Sequence, residues 1–395
     1  MKHTSLAARY RPQSFAEVVG QDMIKEVLSR ASAEDRVASG YLFCGTRGVG
    51  KTTIARIFAK ALNCAHAPAA EPCNECEQCR KITAGIHPDV VEIDGASNNS
   101  VDDARALREK IGYSPMEGRY KIFIIDEAHM LSKSAFNALL KTLEEPPSHV
   151  VFIFATTEVH RFPATILSRC QVFSFHHLTE AILAGHLADV MKKEQIPFED
   201  EAVRLIARRA AGSVRDSMSL LDQTLAYGSE NLTAGLVRDV LGLAGQDALK
   251  ELFAALAAQD CAKTALFCRT LAGREVDLGF FVRELADTLR SLFLLRQCGK
   301  DSLTQLGATE NEISFYESVA PSFTAGYLHA AWQMVLEAQR SITTSQEPAA
   351  SLELLLVNLA FLQQLLPAAL AGVRAPAADA QKEMPPHPTR APAGN

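Results

Sequence analysis

Residues 45–52 read Gly-Thr-Arg-Gly-Val-Gly-Lys-Thr, a G-x-x-x-x-G-K-T run. A short apolar stretch, Tyr41 to Cys44, leads into it, and Ile54, Ile57, Phe58 and Ala61 follow at helical spacing. Strand, glycine loop and helix in that order demand a narrow class of fold, an α/β domain with a buried parallel sheet. The glycines let backbone N–H groups turn inward where a Cβ would collide or where φ is positive. The helix N-terminus behind them adds partial positive charge. The layout predicts a phosphate cradle built from Gly45, Thr46, Arg47, Gly48, Val49, Gly50, Lys51, Thr52 and Thr53. Lys51 is placed for the β- and γ-phosphates of a nucleoside triphosphate, and Thr52 for Mg²⁺.

Two carboxylates further along turn a binding loop into a candidate hydrolase. Lys121-Ile-Phe-Ile-Ile-Asp126-Glu127 holds four consecutive apolar residues, the pattern of a strand buried on both faces. Its carboxyl end is where open parallel sheets present ligands. There Asp126 can complete the Mg²⁺ shell with Thr52, and Glu127 can polarise an attacking water. The next apolar run, Val150 to Phe154, ends in Ala155-Thr156-Thr157, and a hydroxyl at that point can reach the γ-phosphate or the water. Pro163 to Cys170 reads as a short helix ending in an exposed Arg169, while Gly212-Ser213 opens a helix from which Arg215 projects. Ahead of all this, Arg9-Tyr-Arg11-Pro-Gln-Ser-Phe15 to Gln21 reads as an ordered arm. It either lies across a nucleotide base or caps the hydrophobic core.

Cys64, Cys73, Cys76 and Cys79 interrupt the alternation of strands and helices with the spacing C-x8-C-x2-C-x2-C. Four sulfurs complete the tetrahedron of a structural Zn²⁺, with no open position for catalysis. Unrelated core cysteines and an iron–sulfur cluster are the competing readings; Asn, Glu, Pro and Lys between the thiols do not suit a core. His66 and His87 are expected at the surface. Nine cysteines in a chain without a secretory apolar segment point to thiols or metal rather than disulfides.

The chain has 395 residues, room for two or three domains, and a formal charge of −6 that argues against coating nucleic acid by bulk positive charge. No apolar run reaches membrane length, so a cytoplasmic protein is expected. A helix is expected over 101–111; its Arg105, Arg108 and Lys110 could touch a polyanion, but with Asp102, Asp103 and Glu109 beside them it reads rather as an ordinary exposed helix. From about Thr179 the pattern is helical only: 179–194, 199–211, 213–227 and 233–241, then a second block from Gly245 to Leu366 broken near 297–304 and Pro321. The Ala- and Pro-rich end is expected to stay unfolded.

These motifs together resemble the gamma/tau clamp-loader subunits of bacterial DNA polymerase III. The resemblance rests on Arg9-Tyr-Arg-Pro-Gln-Ser-Phe, Val18-Val-Gly-Gln, the phosphate loop, the four cysteines, Ile125-Asp-Glu-Ala-His-Met-Leu, Asn137-Ala-Leu-Leu-Lys-Thr-Leu-Glu-Glu-Pro-Pro and Leu167-Ser-Arg-Cys. It implies an AAA+ P-loop domain over 1–178 with a zinc insertion at 64–79. A small helical lid over 179–243, a helical collar over 244–366 that joins subunits, and a tail over 367–395 would follow. It implies ATP, Mg²⁺ and structural Zn²⁺ as cofactors. The implied partners are delta, delta-prime and further gamma/tau copies in a pentameric ring, a sliding clamp and primer–template DNA. Thr157 would be the sensor of the γ-phosphate, Arg169 the finger reaching a neighbour's nucleotide, and Arg215 the lid arginine acting within its own subunit. Arg11 and Val19 would line the adenosine side. Such subunits are catalogued with DNA-directed DNA polymerase activity, although this sequence carries no polymerase carboxylate constellation. Asn98, Asn99 and Ser100 are uncharged where chamber-facing basic residues would be sought, and the domains that extend tau forms are not in this sequence.

Overall fold

Five parallel strands form one sheet in the order β2-β3-β4-β1-β5: β1 Gly40–Cys44, β2 Val90–Asp94, β3 Lys121–Asp126, β4 Val150–Thr156 and β5 Gln171–Ser174. The computed structural model describes residues 4–97, 111–228, 230–274 and 276–365. All but Ile111 of the expected helix over 101–111, residues Asn98 to Ser100 and the Pro/Ala-rich tail lie outside the described residues.

The central strands are apolar because both of their faces are covered. Every residue of β4 is buried, and so are Tyr41, Leu42 and Phe43 of β1 and Ile122 to Ile125 of β3. One face packs on helices Asp22–Ala33 and Lys51–Asn63 through Leu28, Ile54 and Phe58; the other packs around Phe136, Leu139 and Ile166. Burying each such side chain is worth about 1.5–3 kcal/mol, so the sheet is the rigid base of the domain. Its register sets Cys44 of β1 beside Thr156 of β4, and Asp94 of β2 beside Asp126 of β3. Polar residues therefore gather at the carboxyl edge of an apolar sheet. A glycine loop, a central parallel strand and this strand order make the domain an AAA+ P-loop fold.

The order continues into four helices, Glu180–Glu194, Asp200–Arg209, Val214–Tyr227 and Ala234–Leu241, within one compact unit that ends at Leu241. Thr179 and Ser213 cap two of them by accepting from the N–H of Ile182 and Asp216. The second unit begins at Gly242 and is helical among its described residues. Its long helices Leu278–Cys298 and Ala325–Thr344 pack along each other around Phe281, Leu285, Leu289 and Tyr327. Its break after Cys298 is only one residue, Gly299, because helix Lys300–Gln305 restarts at once. Among the described residues no helix is long and apolar enough to cross a membrane.

Candidate nucleotide-binding site

The phosphate loop links β1 to helix Lys51–Asn63, and its shape depends on glycine at two places. Gly45 has φ +150° and lies so close to β5 that a Cβ would stand 2.5 Å from the carbonyl oxygen of Phe175. Gly48 has φ +81°, and a Cβ there would stand 2.0 Å from Ser213 Oγ of the lid. Lid and loop are thus in direct contact, and the Arg215 N–H donates to Gly48 O at 3.3 Å. Arg215 itself is exposed at the start of its helix, beside the loop. Thr46 and Arg47 at the loop tip are exposed, whereas Val49 is buried beneath it.

Lys51 is buried, with its ammonium donating to Gly45 O at 2.8 Å and Thr46 O at 2.7 Å. Burial pulls its pKa down, and the carboxylates Glu127 and Asp126 oppose the shift. Thr52 Oγ1 donates to Asp126 Oδ2 at 2.7 Å. Two hard oxygen donors this close suit Mg²⁺, so Thr52 and Asp126 would hold the ion, which when bound neutralises phosphate charge.

Glu127 takes up a left-handed conformation, φ +44°, at the end of β3. Its Oε2 is buried without a hydrogen bond. His129 Nδ1 lies 3.5 Å from that oxygen and 3.1 Å from Thr156 Oγ1, so the imidazole bridges the ends of β3 and β4. Thr156 is fully buried and also accepts from the Glu158 N–H at 3.0 Å; Thr157 is exposed. Of the threonine pair, Thr156 ties β4 to His129 and Thr157 offers its hydroxyl to solvent.

The arm reaches the same helix. Arg11 and Thr53 line one small pocket with Arg56 and Lys60. Burial lowers the Arg11 pKa, and Arg56 and Arg215 lower it further against Glu92. Arg56 itself is held by Glu92 in a two-pronged pair at 2.7 and 2.6 Å. Val19 is half-buried beside Gly20, whose φ of +67° sets it against Leu178.

Arg169 stands apart from this cluster. Its carbonyl oxygen would lie 3.2 Å from a Cβ on Gly40, at the amino end of β1, whereas the phosphate loop leaves the carboxyl end. Four residue steps of strand, about 13 Å, separate the two ends. Its guanidinium binds Glu144 Oε1 at 2.9 Å and Thr165 O at 2.6 Å. The fold therefore gathers Lys51, Thr52, Asp126, Glu127, Arg11 and Arg215 on one edge and leaves Arg169 facing elsewhere.

Cys64, Cys73, Cys76 and Cys79 converge, with all four Sγ atoms within 4.8 Å of one another. Tetrahedral zinc thiolates at about 2.3 Å need sulfurs roughly 3.8 Å apart, so the cluster fits Zn²⁺. Cys76 and Cys79 donate their N–H groups to the sulfurs of Cys73 and Cys76 at 3.3 and 3.4 Å, the turn that a C-x2-C step makes around a metal. The Cys73 thiol is lowered to about 6: burial pushes it up, but the Cys76 and Glu75 N–H groups outweigh that. His66 is exposed with Nδ1 3.9 Å from Cys64 Sγ; His87, expected at the surface, is instead buried, because it hydrogen-bonds the Asp89 N–H at 3.0 Å.

Three family models cover the described chain in succession: "DNA polymerase III, delta subunit" over residues 20–179, "DNA polymerase III clamp loader subunit, ATPase lid domain" over 182–230, and "DNA polymerase III subunits gamma and tau domain III" over 232–373. The DNA polymerase III subunit gamma of Buchnera aphidicola subsp. Baizongia pistaciae is 32% identical over 359 residues, 91% of this chain and 97% of that one. The chain belongs to the DNA polymerase III gamma/tau family. Similarity is higher over a shorter span to the tau/gamma subunit of Haemophilus influenzae, 50% over 243 residues, 62% of this chain and 35% of that relative. The chain spans 35% to 56% of the length of four tau or tau/gamma relatives it matches. Among solved structures, the Thermotoga maritima RuvB Holliday junction branch migration motor aligns at a TM-score of 0.46 and 21% identity over 62% of this chain and 79% of its own, a likeness too loose to carry an argument.

Several gamma/tau residues at this site were given no role by the sequence, His129 among them although it lies inside the Ile125-to-Leu131 motif. His129, Arg56 with Glu92, and the buried Lys60 emerge only once the strands are side by side. One signal was available: Lys60 follows Ile57 by three positions, so a lysine stands on the apolar stripe of its helix.

Proposed function

We propose that this gamma/tau chain is an ATP-hydrolysing motor subunit of the bacterial clamp loader. In this reading it assembles with delta, delta-prime and further gamma/tau copies into a pentameric ring that uses ATP to place a sliding clamp on primer–template DNA. The observation that carries the reading is the Thr52–Asp126 contact of 2.7 Å beside the buried Lys51, with Glu127 held open at the next position.

Lys51 and the loop N–H groups bind the β- and γ-phosphates, and the two carbonyls that now hold the ammonium orient it. Glu127 takes the role of general base toward water, its unbonded Oε2 the accepting atom. His129 fixes that carboxylate relative to Thr156, and Thr157 can sense the γ-phosphate from the same strand end. Arg215 reaches the nucleotide of its own subunit from the lid. Arg169, facing away from its own loop, supplies charge to the neighbour's γ-phosphate, which makes turnover conditional on assembly. Arg11 and Val19 serve the adenosine side. The four-cysteine module binds structural Zn²⁺.

The test is ATP turnover by the reconstituted ring with clamp and primed DNA. Stimulation over the isolated chain, abolished by Lys51→Ala, is expected; wild-type turnover equal to that of Lys51→Ala would make the subunit a scaffold.

A further inference from the structure

We propose that the four-cysteine module acts as a clasp on the N-terminal arm, so that metal in the module sets how firmly the arm closes on the nucleotide. The inference rests on the ATP-site reading above.

The arm is held at both ends with Arg11 between. At its start the Leu6 N–H donates to Asp222 Oδ2 of the lid at 2.7 Å, and Arg9 pairs with Glu194 at 2.9 Å. At its far end the N–H groups of Phe15 and Ala16 donate to the two oxygens of Glu71, at 2.8 and 2.9 Å. Glu71 lies in the loop between Cys64 and Cys73. A second tie runs through Lys60, 1% exposed on the phosphate-loop helix. Its ammonium donates to Gln13 O at 2.7 Å, to Gln13 Oε1 at 2.8 Å and to Asn74 Oδ1 at 2.7 Å. Asn74 sits between Cys73 and Cys76 in a left-handed conformation, φ +61°.

A buried ammonium is tolerated only while its three protons are all accepted. Here one acceptor comes from the metal module and two from the arm, so neither side can move without stranding Lys60. Four metal–thiolate bonds would close the loops that carry Glu71 and Asn74. Without them those loops regain conformational freedom, and the acceptors lose their fixed positions. The arm then loses the contacts that seat Arg11 against Thr53 and Arg56. A module that only stabilised the fold would not need to send its side chains into this arm.

The experiment uses the full chain, reading amide hydrogen exchange at Phe15 and Ala16 and the affinity for a non-hydrolysable ATP analogue. Glu71→Ala is expected to speed exchange at both amides and to weaken analogue binding about tenfold, the scale of losing charge-assisted hydrogen bonds. In the reconstituted ring it raises KM for ATP by a similar factor with kcat within about twofold, since the reacting groups are untouched. Glu71→Gln, which keeps one oxygen, recovers part of the affinity. Chelator-stripped wild type reproduces Glu71→Ala, and Lys60→Met extends the test if it folds. Unchanged exchange, or faster exchange with unchanged affinity, overturns the clasp. Lys51→Ala separates the two readings: it is expected to lose the analogue yet keep the arm amides slow. Analogue binding by Lys51→Ala at wild-type affinity would sink the nucleotide site, while the exchange result still decides whether the module holds the arm.

Discussion

The two units of this chain differ in how much charge they bury. Up to Leu241 the interior holds Lys60, Asn63, Asp89 and Thr156, each with partners from distant segments of the chain, besides Lys51, held by its own loop, His87, which accepts from the Asp89 N–H, and Ser217 and Thr224, which bond carbonyls of their own helix. From Gly242 on, buried Thr264 and Thr288 return their hydroxyls to the carbonyl four residues back in their own helices, and the buried Tyr327 hydroxyl donates to Leu359 O at 2.9 Å; among the described residues no lysine, aspartate or histidine is buried there. In the proposed reading, the desolvated charge of Lys51 at the carboxyl edge of the first unit's rigid sheet serves to bind phosphate. The second is stabilised by apolar helix faces with local caps, such as the Thr309–Glu312 capping box. In the proposed reading, chemistry belongs to the first unit and assembly to the second, and each can be damaged without the other.

The sharpest break should come at Glu127. Glu127→Gln is expected to keep ATP binding and to lower single-turnover hydrolysis in the ring by about 10²-fold or more, the usual weight of a general base; equal turnover would remove Glu127 from the chemistry. Arg169→Ala should lose hydrolysis on a similar scale with ATP binding intact, whereas an equal loss of binding would make it a structural residue. Next in size, Phe281→Ala in the second unit should cost about 3–5 kcal/mol through the cavity it leaves. The single tryptophan, Trp332, packs against the same core, so its fluorescence reports that loss directly. Analogue binding to the first unit should survive, and coupled loss of both would contradict two separately stabilised units.

A smaller, pH-dependent difference is expected at Asp89. Burial pushes its carboxyl up, but the N–H groups of Glu117, Gly118 and Met116 hold it below the usual carboxylate range. A lowered folded pKa gives stability that is complete above the unfolded value near 4 and fades as pH falls through the folded one. Asp89→Asn should therefore destabilise the first unit at neutral pH and flatten its acid limb below about pH 4. An unaltered acid limb would show that Asp89 contributes nothing there. The second unit, read by Trp332, should be indifferent.

How much could be read in advance follows the same division. The phosphate loop, Asp126, Glu127 and the four cysteines are legible because their chemistry fixes residue type at fixed spacing. Apolar runs such as Ile122 to Ile125 announced the central strands for the same reason, since both faces must be buried. The role of His129 was hidden although the residue lies in the Ile125-to-Leu131 motif: that role needs β3 and β4 to lie side by side, and no spacing in the chain encodes that. Glu71 and Lys60 were hidden likewise, because the partners of Glu71 lie 56 and 55 positions away and Lys60 reaches back 47 to Gln13. Of the two readings of the arm, the structure shows the core-capping one, since Phe15 enters the core; Arg11 stays beside the phosphate-loop helix, and its place at the adenosine side is part of the proposed function.

The pairing of Arg169 with Glu144 has a thermodynamic corollary. If Arg169 serves a neighbouring subunit, it starts sheathed rather than free. An exposed pair of this kind is worth only about 0–1 kcal/mol, so a nearby triphosphate, dense in charge, can draw the guanidinium away. A diphosphate offers less charge and competes less well with Glu144 for the same cation. The carboxylate then works as a threshold, a small reference load against which the neighbour's nucleotide is weighed. The ring would thus read not merely whether a nucleotide is present next door but how much charge it still carries.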